Sequence, residues 1–200
     1  MKYIFYILFT VFCAQGFSQI PAGYYDSTIG KTGYVLKTAL NKIITSGHVT
    51  KSYGSLYTGY QITDNDAFYD NDNTVLDMYS ENPAGTDPYF YNHGSRRCGN
   101  YTSENSCHNR EHLMPQSVFS SASPMKADIH HVVPSDGYVN GRRSNFPFGE
   151  VVNANGNSYL DFKMGTNSNG QLVAEPREDR KGDVARAHSY IMTCYNNKYG

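Results

Sequence analysis

The sequence predicts an α+β fold in one domain, and three observations carry that reading. An apolar stripe at helical spacing lies early in the chain, short β-rich runs occupy its middle, and a second helical stripe lies near its end. Two hundred residues match one ordinary domain with a sizeable core, and no repeat or linker divides them.

Taken in order, residues 1–18 of "MKYIFYILFTVFCAQGFSQ" begin with a lysine, run apolar from Tyr3 to Phe12, and reach small residues at Gly16 and Ser18. This pattern is a secretory signal peptide with cleavage near Ser18/Gln19. The apolar run is too short to span a bilayer, so residues 19–200 are expected to be exported and soluble, without a membrane partner. "TGYVLKTALNKIITSGH" then places Val35, Leu36, Leu40, Ile43 and Ile44 on one helical face, with Gly47 as its stop. From Tyr60 to Tyr91 the chain has seven acids and no Lys or Arg. Its "DNDAFYDNDN" lacks the glycine and terminal glutamate of an EF-hand loop and reads as a solvated acidic loop. "TVLDMYS" reads as a strand, "ADIHHVVPSD" as a β-run ended by Pro134, and "SYLDFKM" as a late strand. Ser135 or Asp136 is placed to cap a following helix. "KGDVARAHSYIMTCYNNKYG" carries Val184, Ala187, Ile191 and Cys194 at helical spacing.

Export permits disulfides. Cys13 departs with the signal, and Cys98 and Cys107 flank the short polar loop "CGNYTSENSC", so these two are expected to pair. Cys194, inside the helical stripe, is expected to be a buried thiol. A net charge of −1 gives no global basic signature for nucleic acid.

The chemistry concentrates in "CHNREHLMP". Its H-x-x-E-H order matches a zinc-peptidase pattern that needs His108 and His112 one turn apart on a helix. Pro115, three residues past His112, and the adjacent apolar pair Leu113–Met114 speak against a helix there. An extended segment fits better. In a strand Glu111 and His112 point to opposite faces, so a strand end or a twist must aim both at one centre.

The segments "NREHLMP", "DIHHVVPSDGYVNGRRSNFPFGEV" and "EPREDRKGDVARAHSYIMTCY" occur in that order, with "CGNYTSENSCHNREH" and "IPAGYYDSTIGKTGYVLKTALNKII" upstream. Together they resemble the bacterial endonuclease I family of secreted nucleases. The resemblance implies a ββα-metal (His-Me finger) nuclease core with surrounding helices over residues 19–200. It implies that Glu111 and Asn140 hold one divalent ion, Mg²⁺ or else Mn²⁺ or Ca²⁺, with Asn145 a weaker alternative to Asn140. His112 would be the general base. Arg143 would clamp phosphate as part of the catalytic set, and Arg110 and Arg142 would assist as substrate-binding residues. DNA and RNA would be hydrolysed without sequence preference to 5′-phosphate products, by a monomer.

One hard ion held by a carboxylate and an amide oxygen leaves room for water and phosphate, and a neutral imidazole can accept a proton near pH 7. His130 and His131 are expected to support the His112 backbone or the helix start. From Asn92 to Glu150 there are six basic and five acidic residues, so placed arginines and not a broad field would hold phosphate. The resemblance implies a further segment past the last helix, whereas this sequence stops at Gly200, so the expectation is either a truncated sequence that lacks the C-terminal part of the family domain or a shortened member of the family. The alternatives are the zinc metallopeptidase and a catalytically silent extracellular binding protein.

Overall fold

The computed structural model describes residues 20–99, 101–157 and 162–195. The signal segment, its cleavage point and residues 158–161 of "SYLDFKM" lie outside the described residues.

Helix α1 (Gly33–Thr45) ends at Gly47, whose φ of +77° is the left-handed conformation that glycine adopts without strain. Leu36, Leu40, Ile43 and Ile44 are half-buried and Ala39 is buried, as the stripe requires. Val35 departs from the expectation: it points to solvent, 62% exposed. Helix α4 (Lys181–Cys194) packs on α1 and buries Val184, Ala187, Ile191 and Cys194. Asn41 Nδ2 donates to the carbonyls of Thr193 and Cys194, both at 2.9 Å, satisfying acceptors that the end of α4 leaves open. Cys194 is the buried free thiol.

Between these helices lies α2 (Leu56–Thr63), which buries Leu56 and Tyr60 against Val132. The Tyr60 hydroxyl donates to the Val132 carbonyl at 2.9 Å. Strands β1 (His108–His112) and β2 (Val132–Asp136) pair antiparallel, with Glu111 opposite Val133 and Arg110 opposite Pro134. Pro134 does not end the run, as expected from sequence, but sits within β2. In a two-stranded sheet each strand has a free edge where a proline's missing donor is tolerated, and the Pro134 carbonyl accepts from Met78 N–H. Helix α3 (Gly137–Arg143) follows β2 directly, capped by Asp136 Oδ1, which accepts from the N–H groups of Tyr138 and Val139. Gly137 must lack a side chain, because a Cβ there would lie 2.7 Å from Cys98 Sγ.

A meander of β3 (Asn153–Asn157), β4 (Lys163–Thr166) and β5 (Leu172–Glu175) completes the chain before α4. The predicted "TVLDMYS" strand is not one. Val75 makes an isolated bridge to Asn65, and Asp77 Oδ1 accepts from Tyr79 and Ser80 N–H, a local turn that breaks the extended run. The segment is still buried. Met78 and Tyr79 join Leu113, Val139, Phe162, Ala174, Val184 and Ala187 in the main core, which backs the β1–β2–α3 unit. The solvated-loop expectation for "DNDAFYDNDN" holds for Asp70 and Asp72 but fails for Asp66, which is buried; Asp77 and Glu81, beyond that loop, are buried as well. Among the described residues no helix is long and apolar enough to cross a membrane.

Candidate active site

Strand β1 stops at His112, and that end meets α3 across the hairpin. Asn109, Arg110, Glu111, His112, Asn140, Arg143 and Asn145 line one cavity of about 370 Å³. Glu111 and His112 reach it together because they are the last two residues of the strand, where the pleat no longer holds successive side chains on opposite faces.

Glu111 is wholly buried. Its Oε1 accepts from Arg143 Nη1 at 2.7 Å, while Oε2 has no hydrogen-bond partner among the described residues. Burial pushes its pKa up to about 7, opposed by the Arg143 guanidinium. Asn140 is oriented by a chain of amides. Asn109 Nδ2 donates to the Gly99 carbonyl at 3.0 Å, which leaves Asn109 Oδ1 to accept from Ser135 Oγ and from Asn140 Nδ2, the latter at 2.6 Å. Asn140 thereby commits its nitrogen and keeps its oxygen as the acceptor. Gly99 follows Cys98, and the Cys98–Cys107 disulfide is present, with Cα atoms 5.8 Å apart.

The His112 ring is 5% exposed, and its Nε2 faces the Lys126 carbonyl at 3.1 Å. A carbonyl can only accept, so Nε2 carries the proton and Nδ1 the lone pair. Burial pushes the imidazole pKa down to about 4, so the ring is neutral near pH 7. The short helical turn Met125–Ala127 that presents this carbonyl is held by His131, whose Nε2 donates to the Met125 carbonyl at 2.7 Å. The His131 carbonyl in turn accepts from Leu113 N–H, the backbone support expected of it. His130 bonds Asp128 instead.

The arginines differ from expectation. Arg143 is not a free phosphate clamp. It is 1% exposed, and besides Glu111 it donates to the carbonyls of His112 at 2.9 Å and Leu113 at 2.8 Å. Its last-turn position on α3 aims it inward at the end of β1, so it fixes the carboxylate and the strand end. Arg142 is exposed, lies over the Tyr138 ring, and is not among the residues lining the cavity. Arg110 does line it, stacked 3.5 Å from the Tyr53 ring centroid and donating to the Tyr53 carbonyl.

The zinc-peptidase alternative is overturned by the same strand. His108 and His112 are four residues apart in extended chain, roughly 13 Å, and cannot share one ion. His108 is buried between the Tyr57 and Tyr91 rings, and burial holds its pKa down at about 4. Sequence reasoning missed Asn109 and Lys126. The first had a signal, its i, i+2 relation to Glu111 on a strand; the second acts through its carbonyl, which no side-chain pattern records.

A strand–strand–helix unit with a carboxylate and an imidazole at the end of its first strand, set in an α+β chain, is the layout of the ββα-metal class. The chain belongs to the Endonuclease I family, whose family model matches residues 32–200. It is 35% identical over 179 residues to a protein named extracellular ribonuclease from Bacillus amyloliquefaciens, covering 88% of this chain and 55% of that protein. A protein of the same name from Bacillus subtilis (strain 168) is 33% identical over 183 residues, with the same coverage of 88% and 55%. An extracellular deoxyribonuclease from Aeromonas hydrophila is 34% identical over 71 residues, 36% of this chain and 30% of that one. The chain thus spans about half the length, 55%, of the two Bacillus relatives.

Proposed function

We propose that this chain is a secreted, metal-dependent, sequence-nonspecific endonuclease that hydrolyses DNA and RNA to 5′-phosphate and 3′-hydroxyl ends. The observation that carries the reading is the shared cavity. Glu111 with a buried oxygen unpartnered among the described residues, Asn140 with its amide oxygen left as an acceptor, and His112 as a neutral imidazole of set tautomer all line it. The names of the relatives, ribonuclease and deoxyribonuclease, extracellular and periplasmic, support the substrate range and the export.

The donor set fits a hard divalent ion: Glu111 Oε2, unpartnered among the described residues, and the Asn140 amide oxygen are both oxygen ligands, and the Arg143 guanidinium opposes the burial that favours the protonated acid. Glu111 and Asn140 would hold Mg²⁺, with Mn²⁺ or Ca²⁺ as substitutes. When bound, such an ion neutralises charge on the phosphate and on the departing oxygen. His112 Nδ1 takes a proton from water, the water oxygen bonds to phosphorus, and the P–O3′ bond breaks, O3′ leaving with a proton from solvent. Because the nucleophile is water and not a ribose 2′-hydroxyl, the sugar does not decide whether a strand is cut. Arg110, at the cavity wall on its tyrosine stack, is placed to meet a phosphate oxygen.

The test is incubation of the protein with supercoiled plasmid and with RNA, in Mg²⁺ or in EDTA. Nicking and RNA loss in Mg²⁺ alone are expected. His112→Ala should lower cleavage by roughly 10²–10⁴-fold while calorimetry shows Mg²⁺ affinity nearly unchanged. A folded protein that cuts neither polymer, or one that cuts equally well in EDTA, would end this reading.

A further inference from the structure

Residues two apart on a strand share a face, so His108, Arg110 and His112 of β1 all meet the same pair of tyrosines. Tyr53, in the short turn Tyr53–Ser55, and Tyr57, in the first turn of α2, stand four residues apart on successive turns. The Arg110 guanidinium lies 3.5 Å from the Tyr53 ring centroid and 4.6 Å from that of Tyr57. The exposed Arg97, which bridges to His108 beside β1, lies 4.4 Å from the Tyr57 centroid. Lys126 adds a third cation, its Nζ 5.1 Å from the Tyr53 centroid. In order of contact the row is Lys126, Tyr53, Arg110, Tyr57, Arg97.

Each neighbouring pair of cations shares a ring, so Arg110 lies within about 9 Å of both others, inside a Debye length of about 10 Å at roughly 0.1 M salt. Among the described residues no carboxylate pairs with any of the three, whereas Lys181 and Arg186 of α4 each hold one. Nor, among those residues, do the side chains of Arg97 and Lys126 make a hydrogen bond. Arg110 gives one, from Nη1 to the Tyr53 carbonyl at 3.0 Å, and its Nε gives none. A stacked ring covers the face of a guanidinium, while the N–H groups point outward in its plane. The tyrosines therefore fix these charges in place without consuming their donors. Arg96 is the contrast: it donates to the Asn105 and Ser106 carbonyls and is spent on its own loop. Unneutralised cations held this close repel one another until an anion joins them.

We propose that Lys126, Arg110 and Arg97, spaced by Tyr53 and Tyr57, form a track for successive phosphates of one nucleic-acid strand, leading away from the bond that is cut. The proposal rests on the nuclease reading above and adds to it how the substrate is held. Tyr53 and Arg110 line the cavity, and the Tyr53 ring lies 5.7 Å from that of His112, so the row starts beside the base that acts on water. A lone phosphate would use one of the cations; a row of three answers a polymer with a charge at every unit. Contacts of this kind read charge and not base edges, in keeping with cleavage that ignores sequence. The faces of both rings already meet cations, so Tyr53 and Tyr57 are positioning residues and not platforms for bases.

The experiment measures binding apart from cleavage. The full chain carrying His112→Ala is titrated, in EDTA and over a range of salt, against a fluorescein-labelled oligothymidylate followed by anisotropy. Melting curves establish that each variant is folded. Three phosphate contacts predict that log Kd rises with log salt at a slope of at least about 2, roughly 0.7 for each contact. Arg97→Ala and Lys126→Ala should each lower that slope by about 0.7 and weaken binding several-fold at low salt. Tyr57→Leu removes no charge, so it should weaken binding at an unchanged slope, and Tyr57→Phe should restore the affinity. Arg186→Ala, whose guanidinium pairs with Asp183 on α4, should alter neither quantity. A slope equal to the parent's in Arg97→Ala or Lys126→Ala, or an equal fall in Arg186→Ala, would overturn the track. If the chain with His112 intact cuts nucleic acid while those slopes stay equal, the track alone fails. If it binds with the expected slopes but never cuts, the track stands and the nuclease reading fails.

Discussion

Arg143 offers the sharpest test of how the cavity is held together. Arg143→Met keeps an apolar stem but removes the guanidinium that bonds Glu111, His112 and Leu113. Both members of the pair are buried, with side-chain exposures of 2% and 0%. Leaving one buried partner uncompensated costs about 3–5 kcal/mol, against a total stability on the order of 5–15 kcal/mol for a domain. Two carbonyls also lose a charged donor, adding roughly 1–3 kcal/mol unless water reaches them. The decisive comparison is with the double variant Arg143→Met/Glu111→Leu, which removes the stranded carboxylate as well. Replacing a buried pair by apolar groups is often near neutral, so only the carbonyl loss should remain, about 2 kcal/mol. Urea unfolding in EDTA, followed by far-ultraviolet circular dichroism, should therefore find the double variant more stable than Arg143→Met by about 2 kcal/mol or more. A single variant that loses less than about 1 kcal/mol, or a double variant no more stable than the single, would refute the claim that this arginine serves the carboxylate.

Three further outcomes follow from the same structure. Asn109→Ala removes the acceptor that orients the Asn140 amide, so Mg²⁺ affinity measured by calorimetry should fall roughly 10–100-fold with little change in melting; unchanged affinity would remove Asn109 from the positioning chain. Asp128 is buried, which by itself raises its pKa, but hydrogen bonds from His130, Tyr195 and Tyr190 outweigh this and hold it well below the ordinary carboxylate range. With the folded pKa below the unfolded value of about 3.9, its contribution is present above that value and is lost as pH falls below about 4; urea titrations at pH 5 and 3 should show a steeper loss for the parent than for Asp128→Asn, and parallel losses would contradict it. Reduction of Cys98–Cys107 should lower stability by roughly 2–3 kcal/mol through the short loop it closes, read as a lower Tm in dithiothreitol.

Some features were legible from local pattern alone because their cause is local. The stripe Val184, Ala187, Ile191 and Cys194 repeats at helical spacing, and one face of α4 is buried as that spacing demands. Asp136 caps α3 because a carboxylate just before a helix meets open N–H groups. Pro115 and the adjacent apolar pair argued for an extended "HNREH", and β1 runs through those residues. The strand reading of "TVLDMYS" failed where two causes compete: an apolar run suggested extension, but Asp77 bonds its own neighbours and turns the chain. The loop "DNDAFYDNDN" likewise looked solvated throughout, since composition does not say that the core encloses Asp66.

The order of residues by itself determined the extended course of "HNREH", the cap of α3 and the buried stripe of α4, since capping, periodicity and proline act within a few positions. Tertiary structure alone decided that Arg143 turns inward onto Glu111, that Asn109 sets the orientation of Asn140, and that a backbone carbonyl from Lys126 sets the His112 tautomer. These are contacts between segments far apart in the chain, and their directions depend on how β1, β2 and α3 pack. A guanidinium reads the same in a sequence whether it meets solvent, a phosphate or a buried carboxylate.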